Sequence, residues 1–238
     1  MFPPDTPLTG TSLPDIRPGL PGARSHEFVE LLARYECPGL TARRRRREEL
    51  SGASHDPIVW RAARGANVLD ADGNVYVDLT AGFGAALVGH SHPHVIDAIR
   101  TQSERMIHAL GDVYPSDVKV ALEARLASLC PWPARVILGL SGADAVEAAV
   151  KTACLATGRP GVVAFAGGYH GLSYGAVALC GYKSDFRAPF AEQLNARVMF
   201  APFPCVTTPD PSEAERSLDA TFRALDAHLA TGTVGAVI

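Results

Sequence analysis

The spacing of apolar positions changes several times along the chain, and each change predicts an element. Over residues 25–36, Phe28, Leu31, Leu32 and Tyr35 recur three and four apart, which predicts an amphipathic helix. Ser25 is its candidate N-cap, and Cys37-Pro38-Gly39 ends it. A second helix is expected over 41–50. From 58 to 78 the pattern alternates, and Asp72-Gly73-Asn74 between VLDA and VYVDL predicts a hairpin. A Gly/Ala segment, 81–89, separates it from a helix over 94–108 that has Pro93 near its first turn. Ser116 caps a further expected helix to 129, carrying Val120, Leu122, Leu126 and Leu129.

Beyond residue 134 the pattern becomes strand, turn, helix. Val136, Ile137 and Leu138 predict a strand over 135–140, broken by Gly139 to Gly142. Ala143, Val146, Ala149, Val150 and Ala153 then line one helical face. Strands are expected at 161–166 and 198–201, with 173–180 readable as helix or strand. A helix over 212–229 carries Leu218, Phe222, Leu225 and Leu229, and 233–238 opens another strand. This alternation predicts an α/β fold with a largely parallel sheet covered on both faces. The chain stops inside that last apolar strand, which gives the expectation of a shortened sequence.

Three segments are expected: a Pro/Gly-rich arm over 1–22, flexible or draped; helices and a hairpin over 23–80; and the α/β part over 81–238. At 238 residues and 47% apolar the chain has ample material for a core. Its net charge of −3 does not favour nucleic acid as a partner. No apolar run is long enough for a membrane span, and the N-terminus lacks the apolar core of a secretory signal. The five cysteines form no CxxC pair, which suits a reducing, cytoplasmic setting. Arg43 to Arg47 are followed at once by Glu48 and Glu49, as on a solvated or subunit-facing helix. His90, His92 and His94 have no carboxylate or cysteine at ligand spacing, so a turn-and-cap role is expected and no metal.

Two clusters carry candidate chemistry. Ser141-Gly142-Ala143-Asp144 opens a helix after an expected strand, where free N–H groups and the helix dipole attract a phosphate. Gly167-Gly168-Tyr169-His170-Gly171 follows another strand, where Tyr169 could stack on a planar ligand. Each alone also fits an ordinary capped helix or Gly-rich turn. Both fall at the carboxyl edge of the expected sheet, so together they suit a planar phosphorylated cofactor. A generic dinucleotide module fits poorly, because no GxGxxG follows the first strand of the α/β part.

SGADAVEAAVKTACLATGRP followed by FAGGYHGLSYGAVALCG resembles the class III aminotransferases, pyridoxal 5'-phosphate (PLP) enzymes of fold type I. The resemblance runs from about residue 57 to 205, through GANVLDADGNVYVDLTAGFGAALVGHSHPHVIDAI, YKSDFRAPF and VMFAPFP. It implies an incomplete large domain plus an N-terminal segment of the small domain. It further implies that Gly142 and Ala143 donate N–H groups to the PLP phosphate, with Ser141 shaping the loop. Tyr169 would stack on the ring with His170 beside it, and Trp60 and Phe83 would lie near the substrate entrance. An amine or amino acid and a 2-oxo acid would be the substrates, and the full-length protein would be a homodimer.

The sequence departs from that family in two ways. Its three lysines, Lys119, Lys151 and Lys183, do not match the position of the family's late Schiff-base lysine. A Glu-Pro-x-x-Gly segment and the aspartate for the pyridine nitrogen are also missing. The chain alone is therefore expected to hold part of PLP without transaminating; the alternative is a non-catalytic truncated homologue that acts as a remnant or binds a partner. Leu172 stands where acetylornithine-type members carry an arginine, and an apolar side chain forms no bidentate pair with a carboxylate. That counts against the acetylornithine type and leaves ω-amine, 4-aminobutyrate-like, aminomutase or racemase relatives open. A sheet ending at Ile238 should leave an unpaired edge and exposed apolar surface.

Overall fold

The computed structural model describes residues 8–205 and 207–238. The chain divides into two compact units, Met1–Ala109 and Leu110–Ile238.

In the first unit, helices α1 (Ala23–Tyr35) and α2 (Pro38–Ser51) precede a three-stranded antiparallel sheet of β1 (Trp60–Arg64), β2 (Asn67–Asp70) and β3 (Val75–Val77). Helix α3 (Pro93–Arg105) follows the Gly/Ala segment. The hairpin is held by buried Asp70, whose Oδ1 accepts the N–H groups of Asp72 and Asn74 at 2.9 and 2.8 Å. Its Oδ2 accepts from Asn74 Nδ2 at 2.7 Å and the Tyr76 hydroxyl at 2.9 Å. Burial, reinforced by that bond to Asp70, pushes the Tyr76 phenol up to about 12. Residues 1–7 of the expected arm lie outside the described residues. The rest drapes on the hairpin: Asp15 exchanges backbone hydrogen bonds with Val75, and the Arg17 N–H donates to Asn74 Oδ1 at 2.9 Å.

Ser25 is not the cap of α1. The helix begins two residues earlier, and Ser25 is fully buried within it. Its cap comes from Asp72 at the hairpin tip, which accepts from the Arg24 N–H (2.7 Å), the Ser25 N–H (3.1 Å) and the Ser25 hydroxyl (2.5 Å). A side chain 47 residues away thus fills the role usually taken by an N-cap residue.

The second unit is a parallel sheet in the order β5-β4-β6, formed by β4 (Gly161–Phe165), β5 (Val198–Ala201) and β6 (Val234–Val237). Helices α4 (Asp117–Ser128), α5 (Gly142–Thr157), α6 (Tyr174–Ala178) and α7 (Pro211–Leu229) accompany it. Both faces of the sheet are covered. On one, Val162, Ala164 and Leu179 pack with Val146 and Val150 of α5; on the other, Val163, Ala201 and Val234 pack with Ala224 and Leu225 of α7. The ambiguous segment 173–180 is helical in its middle, with Ala176 to Cys180 all buried.

The strand expected over 135–140 does not form. The segment has no regular secondary structure, no described strand pairs with it, and Ile137, Leu138 and Leu140 are exposed. Apolar β-formers define a strand only when a neighbour takes up their N–H and C=O groups.

Candidate functional site

The first cluster folds as an N-capped helix start. Ser141 is the N-cap of α5, and its hydroxyl oxygen accepts the Asp144 N–H at 3.2 Å. Asp144 in turn accepts the Leu140 N–H at 3.0 Å, so residue and loop hold each other, as in a capping box. The Ala145 N–H reaches the Ser141 carbonyl at 3.0 Å. The N–H groups of Gly142 and Ala143 have no acceptor among the described residues. Nothing lies within 4 Å of where a Gly142 β-carbon would stand, so the space beside it is open. Two adjacent free donors at the positive end of a 16-residue helix have the chemistry to receive an anion.

The second cluster folds as a glycine turn at the carboxyl end of β4. Gly167 has φ +84°, its N–H donates to the Gly181 carbonyl at 3.1 Å, and the Tyr182 N–H donates to Gly168 O at 3.0 Å. Tyr169 is half-exposed, its ring meeting Phe186 edge-on with centroids 6.1 Å apart. The His170 ring folds back over Gly168, where an added β-carbon would lie 3.3 Å from Nε2. The buried Cys180 thiol secures this turn: it accepts the His170 N–H at 3.4 Å, and its S–H faces Gly171 O at 3.2 Å.

Gly171 brings the two clusters together. Its φ is +116°, and a β-carbon on it would stand 2.5 Å from Ala143 Cβ. Only glycine permits that backbone so close to the first turn of α5. The two clusters are thus in direct contact, although only the second follows a strand of the sheet, because the strand expected before Ser141 does not form. A cavity of about 330 Å³ in the same unit, lined by Ala178, Arg187, Leu194 and Val198, includes none of these residues.

Trp60 and Phe83 belong to the first unit. Trp60 opens β1, half-exposed, and meets His90 edge-on at 6.1 Å. Phe83 is fully exposed, in a left-handed backbone conformation at φ +57°. His90 Nε2 lies 2.8 Å from Asp78 Oδ2. Hydrogen bonds from the Thr80 hydroxyl and then His90 hold the Asp78 carboxyl down at about 2. Among the described residues, no three histidine, cysteine or acidic side chains form a metal-binding group. No helix among them is long and apolar enough to cross a membrane.

Two functional candidates are invisible in the pattern. Glu147 lies on α5 three residues after Asp144, yet its carboxylate reaches Gly175, 28 residues on. Cys180 shows only as one more apolar position in AVALC; its bonds to the turn appear with the fold.

Residues 50–238 match the sequence model of the family described as aminotransferase class-III. An alanine/serine racemase from Pyrococcus horikoshii is 30% identical over 185 residues, 77% of this chain and 36% of its own length. An acetylornithine aminotransferase from Archaeoglobus fulgidus is 33% identical over 192 residues, 81% of this chain and 49% of its own. The chain therefore spans about a third to a half of the length of these relatives. Among solved structures, the taurine:2-oxoglutarate aminotransferase from Bifidobacterium kashiwanohense, in complex with PLP and glutamate, aligns with a TM-score of 0.72 at 22% identity. That alignment covers 91% of this chain and 48% of the other, a likeness of fold. The architecture is thus part of a fold type I PLP transferase. With the family match extending over most of its length, the chain belongs to the class III aminotransferases.

Proposed function

We propose that the chain is the N-terminal part of a PLP-dependent aminotransferase, and that its second unit holds the phosphate and ring of the cofactor. The observation that carries this reading is the pair of unpartnered N–H groups at Gly142 and Ala143, beside the turn anchored through Gly171. The residues fit the group: the two donors suit a phosphate, the Ser141 hydroxyl keeps its own proton to donate, and the half-exposed Tyr169 ring suits a flat pyridine. When bound, PLP supplies the electron sink that lets an amino group pass between an amine or amino acid and a 2-oxo acid. The chain's own residues anchor and orient; Ser141, Gly142 and Ala143 take the phosphate, and Tyr169 and His170 border the ring.

Proton shuttling has no evident residue here. Lys151 stands nine residues into α5 from Gly142, about 13 Å along the axis at the usual helical rise. Lys119 lies in α4, and the Lys183 ammonium rests 5.3 Å over the Tyr182 ring. The chain of 238 residues therefore binds without transaminating.

Pyridoxine 5'-phosphate tests the cradle, because it has the ring and phosphate but no aldehyde to react with stray lysines. Saturable binding by the chain, competed by inorganic phosphate, is expected. Absence of saturable binding overturns the reading. PLP followed by borohydride should leave Lys119, Lys151 and Lys183 without a stoichiometric adduct on peptide mapping, and a full adduct at Lys183 would overturn the non-catalytic part.

A further inference from the structure

We propose that Glu147 is a positioning residue of the cofactor cradle, fixing the segment that follows Tyr169 and His170 along the first two turns of α5. The inference rests on the cofactor reading above. The Gly175 N–H donates to Glu147 Oε1 at 2.7 Å. Gly175 lies in the first turn of α6, whose own N-cap, Ser173, makes no side-chain cap bond. The carboxylate from α5 thus supplies a cap that α6 lacks. A β-carbon at Gly175 would lie 2.4 Å from Glu147 Oε2, so a side chain there would displace the carboxylate from its present place.

The spacing of the contacts matters as much as the bond. Gly171 meets Ala143, and Gly175 meets Glu147. Ala143 and Glu147 are four apart on α5 and share a face. The segment therefore docks at two points one helical turn apart, the first of which requires a missing side chain. One attachment would leave the turn free to pivot about Gly171; two fix its direction, and with it the approach of Tyr169 and His170 to the free N–H groups of α5. Cys180 braces the same turn from behind through His170 and Gly171.

The test compares wild type, E147A and E147Q as the full chain. Glutamine keeps a side-chain oxygen that can accept the Gly175 N–H, whereas alanine has none. Amide hydrogen exchange and pyridoxine 5'-phosphate titration are measured on each, with circular dichroism as the check on folding. A charge-assisted hydrogen bond is worth about tenfold or more in an equilibrium constant. E147A should speed exchange over residues 169–175 by about tenfold, leave β4 and β5 unchanged, and weaken binding by a similar factor. E147Q should recover most of both effects, a rescue that a general loss of stability would not give. G175A, which pushes the carboxylate away from the other side, serves if E147A does not fold, and should reproduce its pattern. E147A or G175A matching wild type in exchange and binding overturns the role of Glu147 alone, as does E147Q behaving like E147A. Wild type failing to bind overturns the cofactor reading and this inference with it.

Discussion

Gly171 approaches Ala143 so closely that an added β-carbon would stand 2.5 Å from the alanine's own. This contact sets the turn after β4 directly against the first turn of α5. The relationship is sensitive to one methyl group, because the atoms it would meet are a β-carbon and backbone rather than the movable end of a side chain.

Gly171→Ala should therefore separate the two halves. The substitution combines a clash with a φ of +116°, which side chains rarely adopt. A loss of about 1–3 kcal/mol in unfolding free energy is expected. Pyridoxine 5'-phosphate affinity should fall about tenfold or more if the lost contact contributes a similar amount to the cradle. Denaturant melts and titration check the two effects separately; affinity equal to wild type would show that the cradle does not depend on this contact.

Ser141→Ala removes the oxygen that accepts the Asp144 N–H. Loss of an N-cap of this kind costs about 1 kcal/mol, and a thermal midpoint about 2–4 °C lower is expected for a domain in this size range. Ser141→Thr should retain most of it. Thermal unfolding followed by circular dichroism distinguishes the two.

Asp78 should titrate far below an ordinary carboxylate. Its pKa is lowered from 3.8 to about 2 by hydrogen bonds from the Thr80 hydroxyl and then His90. A depressed folded-state value means stability that is fully present above the unfolded pKa and is lost as pH falls towards 2. Carboxyl carbon shifts in an NMR titration should place the midpoint near the lower value. The stability gap between wild type and Asp78→Asn should close over that same acidic window.

Asp72→Ala should loosen α1 rather than the hairpin turn. Burial by itself would raise this carboxyl; the Ser25 hydroxyl and the Arg24 and Ser25 N–H groups outweigh it and hold the pKa below its usual value. With the acceptor gone, the first turn of α1 has no side-chain cap, since Gly22 offers none. Limited proteolysis should cut earlier within 23–35 while the Asp70 network persists. Equal cleavage rates in the two proteins would count against the cross-chain cap.

Ile137, Leu138 and Leu140 stand exposed on a segment that pairs with no strand among the described residues, and β6 has a described strand neighbour on one side. Apolar surface and an open edge of this kind promote association. The chain should bind anilinonaphthalene sulfonate and sediment as larger species with rising concentration. A monodisperse monomer that leaves the dye dark would contradict this.

Most elements are legible in the sequence because their signals are local. The Asp-Gly-Asn turn, the Ser116 and Ser141 caps and the apolar face of α5 each depend on residues a few positions apart, and each forms as the spacing predicts. The misses are non-local. Ser25 has the right chemistry for a cap, but Asp72 approaches from another element and takes the role. Residues 135–140 have strand composition, yet composition does not supply a partner. In the cradle, the residue types were readable from the glycine and aromatic motifs. What joins them, Gly171 on Ala143 and Glu147 on Gly175, is tertiary and leaves no period in the chain.

Strand β4 takes both its neighbours from chain that follows it, β5 on one side and β6 on the other. On the ribosome, a nascent chain that has exposed α5 and β4 has made the two parts that frame the cradle, but no ladder to hold them. The central strand must wait, apolar on both faces, until Val198 and then Val234 have emerged. The segments that bear the candidate cofactor residues are made before either strand that pairs with β4, so a pause between residues 166 and 198 would present chaperones with a bare central strand.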